Sequence, residues 1–139
     1  MEPTLVLSEA AARTAGIVLL SVVTIEAGGA YLLRVVRGAV PVTPFQTAFA
    51  RAGHAHAGVL VTLGLVCLLL AEASGLTGLV GWLARTGVLV AAILMSGGFF
   101  FSSAHKGATA PNRWIALVWA GATFLAAGVV SLGVGLLTV

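Results

Sequence analysis

The sequence predicts an all-α integral membrane protein with four transmembrane helices, and three observations carry that expectation. Of 139 residues, 60% are hydrophobic and 8% charged, and the mean hydropathy is +1.13. A soluble domain so poor in charge cannot cover its surface with polar groups, whereas a bilayer asks for no such cover. Four separate stretches each supply the ~20 apolar residues needed to cross the hydrocarbon core. Most of the 18 glycines fall inside those stretches rather than between them, as expected where helices associate in lipid through close backbone approach.

Residues 1–12 form a tail or an interfacial segment. Glu2 and Glu9 lie there with no basic region ahead of an apolar core, so a cleaved signal peptide is not expected. Residues 13–139 form the transmembrane domain. Its first span covers about 14–36, contains Glu26 and ends at Arg34 and Arg37. The second covers about 44–72, with Thr43 as N-cap, Pro44 at the first helical position and Arg51 where the lipid-level part begins. The third covers about 83–103 and the fourth about 114–137, and Trp82 and Trp114 mark span ends where amphipathic rings favour the headgroup level.

Four crossings bring both termini to one side. Arg34, Arg37 and Arg51 flank the first loop, Lys106 and Arg113 the third, and only Arg13 and Arg85 lie on the other side. The basic bias of cytoplasmic loops therefore places loops 1 and 3 in the cytoplasm and both termini outside a plasma (inner) membrane.

The two halves resemble each other. Glu26-Ala27-Gly28-Gly29 followed by Arg37-Gly38-Ala39 matches Met95-Ser96-Gly97-Gly98 followed by Lys106-Gly107-Ala108 at one constant offset. This predicts a duplicated helical hairpin whose copies share an orientation and are related by an axis along the membrane normal. Gly28-Gly29, Gly53 with Ala57, Gly97-Gly98, Gly121, Gly128, Gly133 and Gly135 are the expected seams. Surplus small faces also predict a homo-oligomer or membership of a larger membrane complex.

The residues with chemistry cluster around Arg51-Ala52-Gly53-His54-Ala55-His56. Glu26 lies eight residues from Arg34, roughly 12 Å at helical rise and near mid-membrane, where an isolated carboxylate loses its water shell and needs a partner. The first two spans run antiparallel from a shared loop, so Glu26 and His56 are expected to pair, with His54 shallower and Arg51 at the mouth. An imidazole titrates near neutrality and suits proton exchange with a carboxyl. The expected function is thus proton-linked binding or passage of a small polar ligand or cation. Residues two apart on a helix point nearly opposite ways, so one metal cannot take both His54 and His56 from a regular helix.

Two alternatives stand beside this reading. One is a haem-binding or electron-transfer subunit that uses His54 or His56 with His105, for which haem b is the cofactor, or a metal centre in which His54, His56 and His105 join Glu26 as ligands. The other is a structural accessory subunit, with a Glu hydrogen-bonded to His, Thr24 or Ser96 only locking helices together. His54-Ala55-His56 and the small residues after it resemble the His-Ala-His segment of short membrane proteins related to the large subunit of haem-copper oxidases. The Asn and Gly-Trp that continue that segment are replaced here by Ala57-Gly58-Val59, and no residue role is carried over.

Nothing resembles a nucleophile elbow, a phosphate loop or a zinc protease motif, so no enzyme is indicated. A net charge of +3 without a clustered basic face is no nucleic-acid footprint. Cys67, the single cysteine, falls mid-span as a small buried hydrophobe. Glu72 and Arg85 flank the second loop as solvated charges.

Overall fold

The computed structural model describes residues 6–138; Glu2 and the rest of the first five residues of the expected tail lie outside it. Four α-helices follow in order: α1, Glu9–Val36; α2, Pro44–Ser74; α3, Gly78–Ser103; and α4, Ala116–Leu137, entered through a 3₁₀ turn at Arg113–Ile115. All four, α4 counted with its entry turn, are long and apolar enough to cross a membrane. At ~1.5 Å rise per residue, α1, α2 and α3 exceed the ~30 Å hydrocarbon thickness, so their extra turns reach headgroup level.

Local signals set the helix ends. Ser8 caps α1 by accepting from the Ala11 N–H at 3.2 Å, which starts the helix at Glu9. Thr43 and Gln46 form a reciprocal capping box on α2: the Gln46 N–H donates to Thr43 Oγ1 at 3.1 Å and the Thr43 N–H to Gln46 Oε1 at 3.0 Å. Gly75 and Gly78 adopt φ of 67° and 63°, which turns the chain from α2 into α3 within three residues. That tight turn starts α3 at Gly78 rather than near residue 83, so Trp82 and Arg85 lie within its first turns.

The helices run up and down in series, but they do not close into a four-helix bundle. α3 is central, packed on α2 at one side and α4 at the other, while α1 touches only α2. The buried apolar core belongs to α2, α3 and α4, with Leu60, Cys67, Ala71, Ala84, Val88 and Met95 among its members. No residue in the most apolar stretch of α1 is buried. The four spans therefore form a three-helix core with α1 laid against its outside.

Glycine explains the difference. A Cβ on Gly87 would lie 2.8 Å from Gly128 Cα, and one on Gly98 would lie 2.7 Å from Val118 Cγ2, so α3 and α4 meet nearly backbone to backbone. Gly121 sits against Met95, and Gly64 of α2 against Leu89 of α3. Of the expected seam residues, Gly133 has nothing near it, and Gly97 meets only Phe101 of its own helix. Gly64 and Gly87, not among the expected seams, carry two of the closest approaches.

Both ends of the assembly are tied by polar contacts. At the end carrying loop 2, Glu72 and Arg85 are not solvated charges. Arg85 Nε donates to Glu72 Oε1 at 2.7 Å, the Glu72 side chain is only 8% exposed, and its other oxygen accepts the Ser8 N–H at 2.9 Å. Arg85 also donates to the Leu76 and Gly81 carbonyls at 2.8 and 3.0 Å. The pair thus closes the α2–α3 turn and holds the start of α1. At the other end, Gln46 Nε2 donates to the carbonyls of Ser103 and His105 at 3.0 and 3.1 Å, and Asn112 donates to those of Phe101 and Ser102 at 3.0 Å each. Thr43 Oγ1 adds a short bond to the Ala108 carbonyl. The carbonyls that α3 leaves unpaired at its C-terminus are thereby satisfied.

Candidate functional site at the α1–α2 seam

Where α1 crosses α2, the histidine that meets it is His54. A Cβ on Gly28 would lie 3.4 Å from His54 Nδ1, and one on Gly29 would lie 3.4 Å from both Cε1 and Nε2. The imidazole therefore rests over Gly28 and Gly29 at a distance where an added Cβ would be in ordinary van der Waals contact with it.

His56 goes elsewhere. Its Nδ1 lies 2.7 Å from the Ala52 carbonyl, its ring packs on Phe99 of α3 at 5.0 Å between centroids, and it shares a groove with Met95 of α3 and Leu125 of α4. The ~200° between residues two apart on a helix sends the two rings to opposite sides. The expected Glu26–His56 pair does not form, because His56 serves the α3 side of α2. α2 is a regular helix through Gly53 and Gly58, so the two rings stay on opposite sides.

Glu26 is exposed, and neither imidazole comes within 4.0 Å of its carboxylate, since the ion pairs among the described residues are Arg13–Glu9 and Arg85–Glu72. Its direction follows from its neighbours. Ser21 and Thr24 of α1 line a cavity of about 290 Å³ with Leu89, Ala92 and Ile93 of α3. Glu26 lies two residues beyond Thr24, hence on the flank of α1 turned away from α3. On α2 the same rule applies: Arg51 lies two residues from Gly53, which packs on Phe99 and Phe100, and Thr62 two from Gly64, which packs on Leu89. Arg51 and Thr62 therefore point away from α3 as well.

Depth completes the placement. The contact of Gly28 and Gly29 with His54 fixes the antiparallel register, which puts Glu26 level with a point on α2 between His54 and Gly58. Arg51, His54, Gly58 and Thr62 thus descend one flank of α2, with Glu26 beside them one turn from Gly29. His54 and Thr62 line a broad open hollow of about 700 Å³ together with Ala55, Gly58 and Val59. Thr62 donates to the Gly58 carbonyl at 3.0 Å and keeps its lone pairs free. Basic, imidazole, carboxyl and hydroxyl groups follow in order from the mouth inward.

His105 does not join them. It is exposed beyond the end of α3, where Gln46 binds its carbonyl, and Gln46 precedes His54 by roughly 12 Å and His56 by roughly 15 Å of helical rise. The axial pairing of His105 with either histidine that a haem in one chain needs is not assembled. Among the described residues no three His, Cys, Asp or Glu side chains converge as metal ligands. Ser96, the other expected partner for Glu26, is buried in α3 with its hydroxyl unpaired, and Thr24 donates to its own helix at the Ser21 carbonyl. The Gly28-Gly29 seat for an imidazole was visible in the sequence as a small-residue pair, but its occupant was not, because the choice between His54 and His56 depends on helix rotation. No family model matches the chain, and no curated protein or solved structure matches it either.

Proposed function

We propose that the chain is a small polytopic membrane protein in which Glu26 and His54, with Arg51 at the mouth, form a site for proton-linked binding or passage of a small polar ligand or cation. The observation that carries this reading is the His54 imidazole seated on Gly28 and Gly29, one helical turn from a carboxyl that has no ion-pair partner among the described residues. A carboxyl that faces hydrocarbon has lost its water shell and needs a hydrogen-bond donor or a cation beside it. The imidazole one turn away offers ring nitrogens that can donate or accept a proton. Arg51 places a positive charge at the entrance, which favours anionic and neutral polar species over cations.

In the same reading the basic end, with loops 1 and 3, faces the cytoplasm. The chain derives from a duplicated hairpin, which is supported by two matched pairs at the sequence offset. Gly38 and Gly107 both take positive φ, 73° and 70°, and Thr43 and Asn112 both cap the helix that follows. The first copy has Val18 and Val59 where the second has Gly87 and Gly128, the two glycines that meet each other across α3 and α4.

The test is proton movement into vesicles reporting internal pH. Glu26→Gln and His54→Ala are expected to abolish the flux, and His56→Ala to leave most of it. Equal loss in both histidine variants, with folding intact by thermal unfolding, overturns the assignment.

A further inference from the structure

The site described above is half open: His54 rests on Gly28 and Gly29, but Glu26, Arg51 and Thr62 on the same flank are exposed. A Cβ built on Gly58 meets nothing within 4 Å, and Glu26 has no counter-group among the described residues. Lipid tails cannot serve as one, since a carboxyl facing hydrocarbon has neither donor nor water. We propose that this flank is the interface of a homodimer whose two-fold axis runs along the membrane normal, so that Glu26 of each copy faces the His54 and Thr62 flank of the other.

Three features select a second copy as the occupant. The flank holds an acid and two bases, so it complements itself in charge. Glu26 is level with the α2 segment between His54 and Gly58, and an axis along the membrane normal preserves depth, so each carboxyl arrives at the height of the other copy's imidazole. Gly58 offers a place where a helix backbone can approach closely, as helix pairs in lipid require. The outer face of α4 is apolar and lacks these features: Trp119, Ala122, Thr123, Ala126 and Val130 carry no acid or base. This inference rests on the Glu26–His54 reading, and it adds that each site is completed across the two-fold.

Disulfide trapping in phosphatidylcholine–phosphatidylglycerol vesicles tests it. In a Cys67→Ser background, Thr62→Cys is expected to give a covalent dimer on mild oxidation, since bridging needs Cα atoms within about 7 Å. Val130→Cys, on the outer face of α4, is expected to stay monomeric. Lipid-dilution energy transfer supplies the second measurement, with Glu26→Leu expected to weaken dimerisation roughly tenfold. Trapping through Val130 but not Thr62, an unchanged dimer in Glu26→Leu, or a different protein bound stoichiometrically over this flank overturns the proposal. A monomeric protein whose proton flux still depends on Glu26 and His54 refutes the dimer and keeps the site. A dimer without flux does the reverse.

Discussion

Replacing Gly87 by Ala tests the packing that makes α3 the centre of the molecule. An added Cβ would meet Gly128 Cα at 2.8 Å, the Phe124 carbonyl oxygen at 3.0 Å and Gly128 N at 3.2 Å. All three are backbone atoms of α4, so no side chain can rotate out of the way. Ordinary contact begins at 3.4 Å, so the helices must separate by about 0.6 Å at the crossing. Such a shift loosens the neighbouring contacts of Gly98 with Val118 and Gly121 with Met95. Overpacking of this kind costs about 1–3 kcal/mol, against a gain of up to ~1 kcal/mol in helix propensity for Gly→Ala. The expected net is a loss of about 1–2 kcal/mol, read by reversible unfolding in mixed micelles. Gly16→Ala is the control: it has nothing within 4 Å and is expected to be neutral or slightly stabilising. If Gly87→Ala is as stable as Gly16→Ala, close backbone approach is not what joins α3 to α4.

Other substitutions probe the ties at the two ends and the buried thiol. Glu72→Gln removes the charge that Arg85 pairs with and weakens the hold on the Ser8 N–H; a loss of about 1–3 kcal/mol is expected, with faster amide exchange at the start of α1 than in α3. Gln46→Leu leaves the Ser103 carbonyl without a donor and the His105 carbonyl with only the Ala108 N–H, and is expected to cost about 1–3 kcal/mol by the same unfolding measurement. Cys67, 6% exposed within the core, is expected to resist maleimide in the folded protein and to react once the protein is unfolded. Rapid labelling of the native form would contradict its burial.

Helix number, approximate spans and the Thr43–Pro44 start of α2 were legible in the sequence, because apolar run length and capping chemistry are local. The glycine seams were legible in kind. Which glycine meets which helix was not, since Gly64 and Gly87 differ from Gly58 and Gly133 only in the direction they face. The Glu72–Arg85 pair escaped because the turn between α2 and α3 is tighter than its composition suggests, and this draws both charges inside. At the site, the sequence showed that a regular helix sends His54 and His56 to opposite sides, but the rotation of α2 about its axis decides which one meets α1. That rotation is set by Gly53 and Gly64 packing on α3, a tertiary fact with no local signature.

The central claim is that Glu26 belongs with His54 and not with His56. Dipolar recoupling between a carbon-13-labelled Glu26 carboxyl and nitrogen-15-labelled imidazoles, measured in bilayers by solid-state NMR, tests this directly. The coupling is expected to be lost in His54→Gln and kept in His56→Gln. Loss in His56→Gln with the coupling kept in His54→Gln would contradict it.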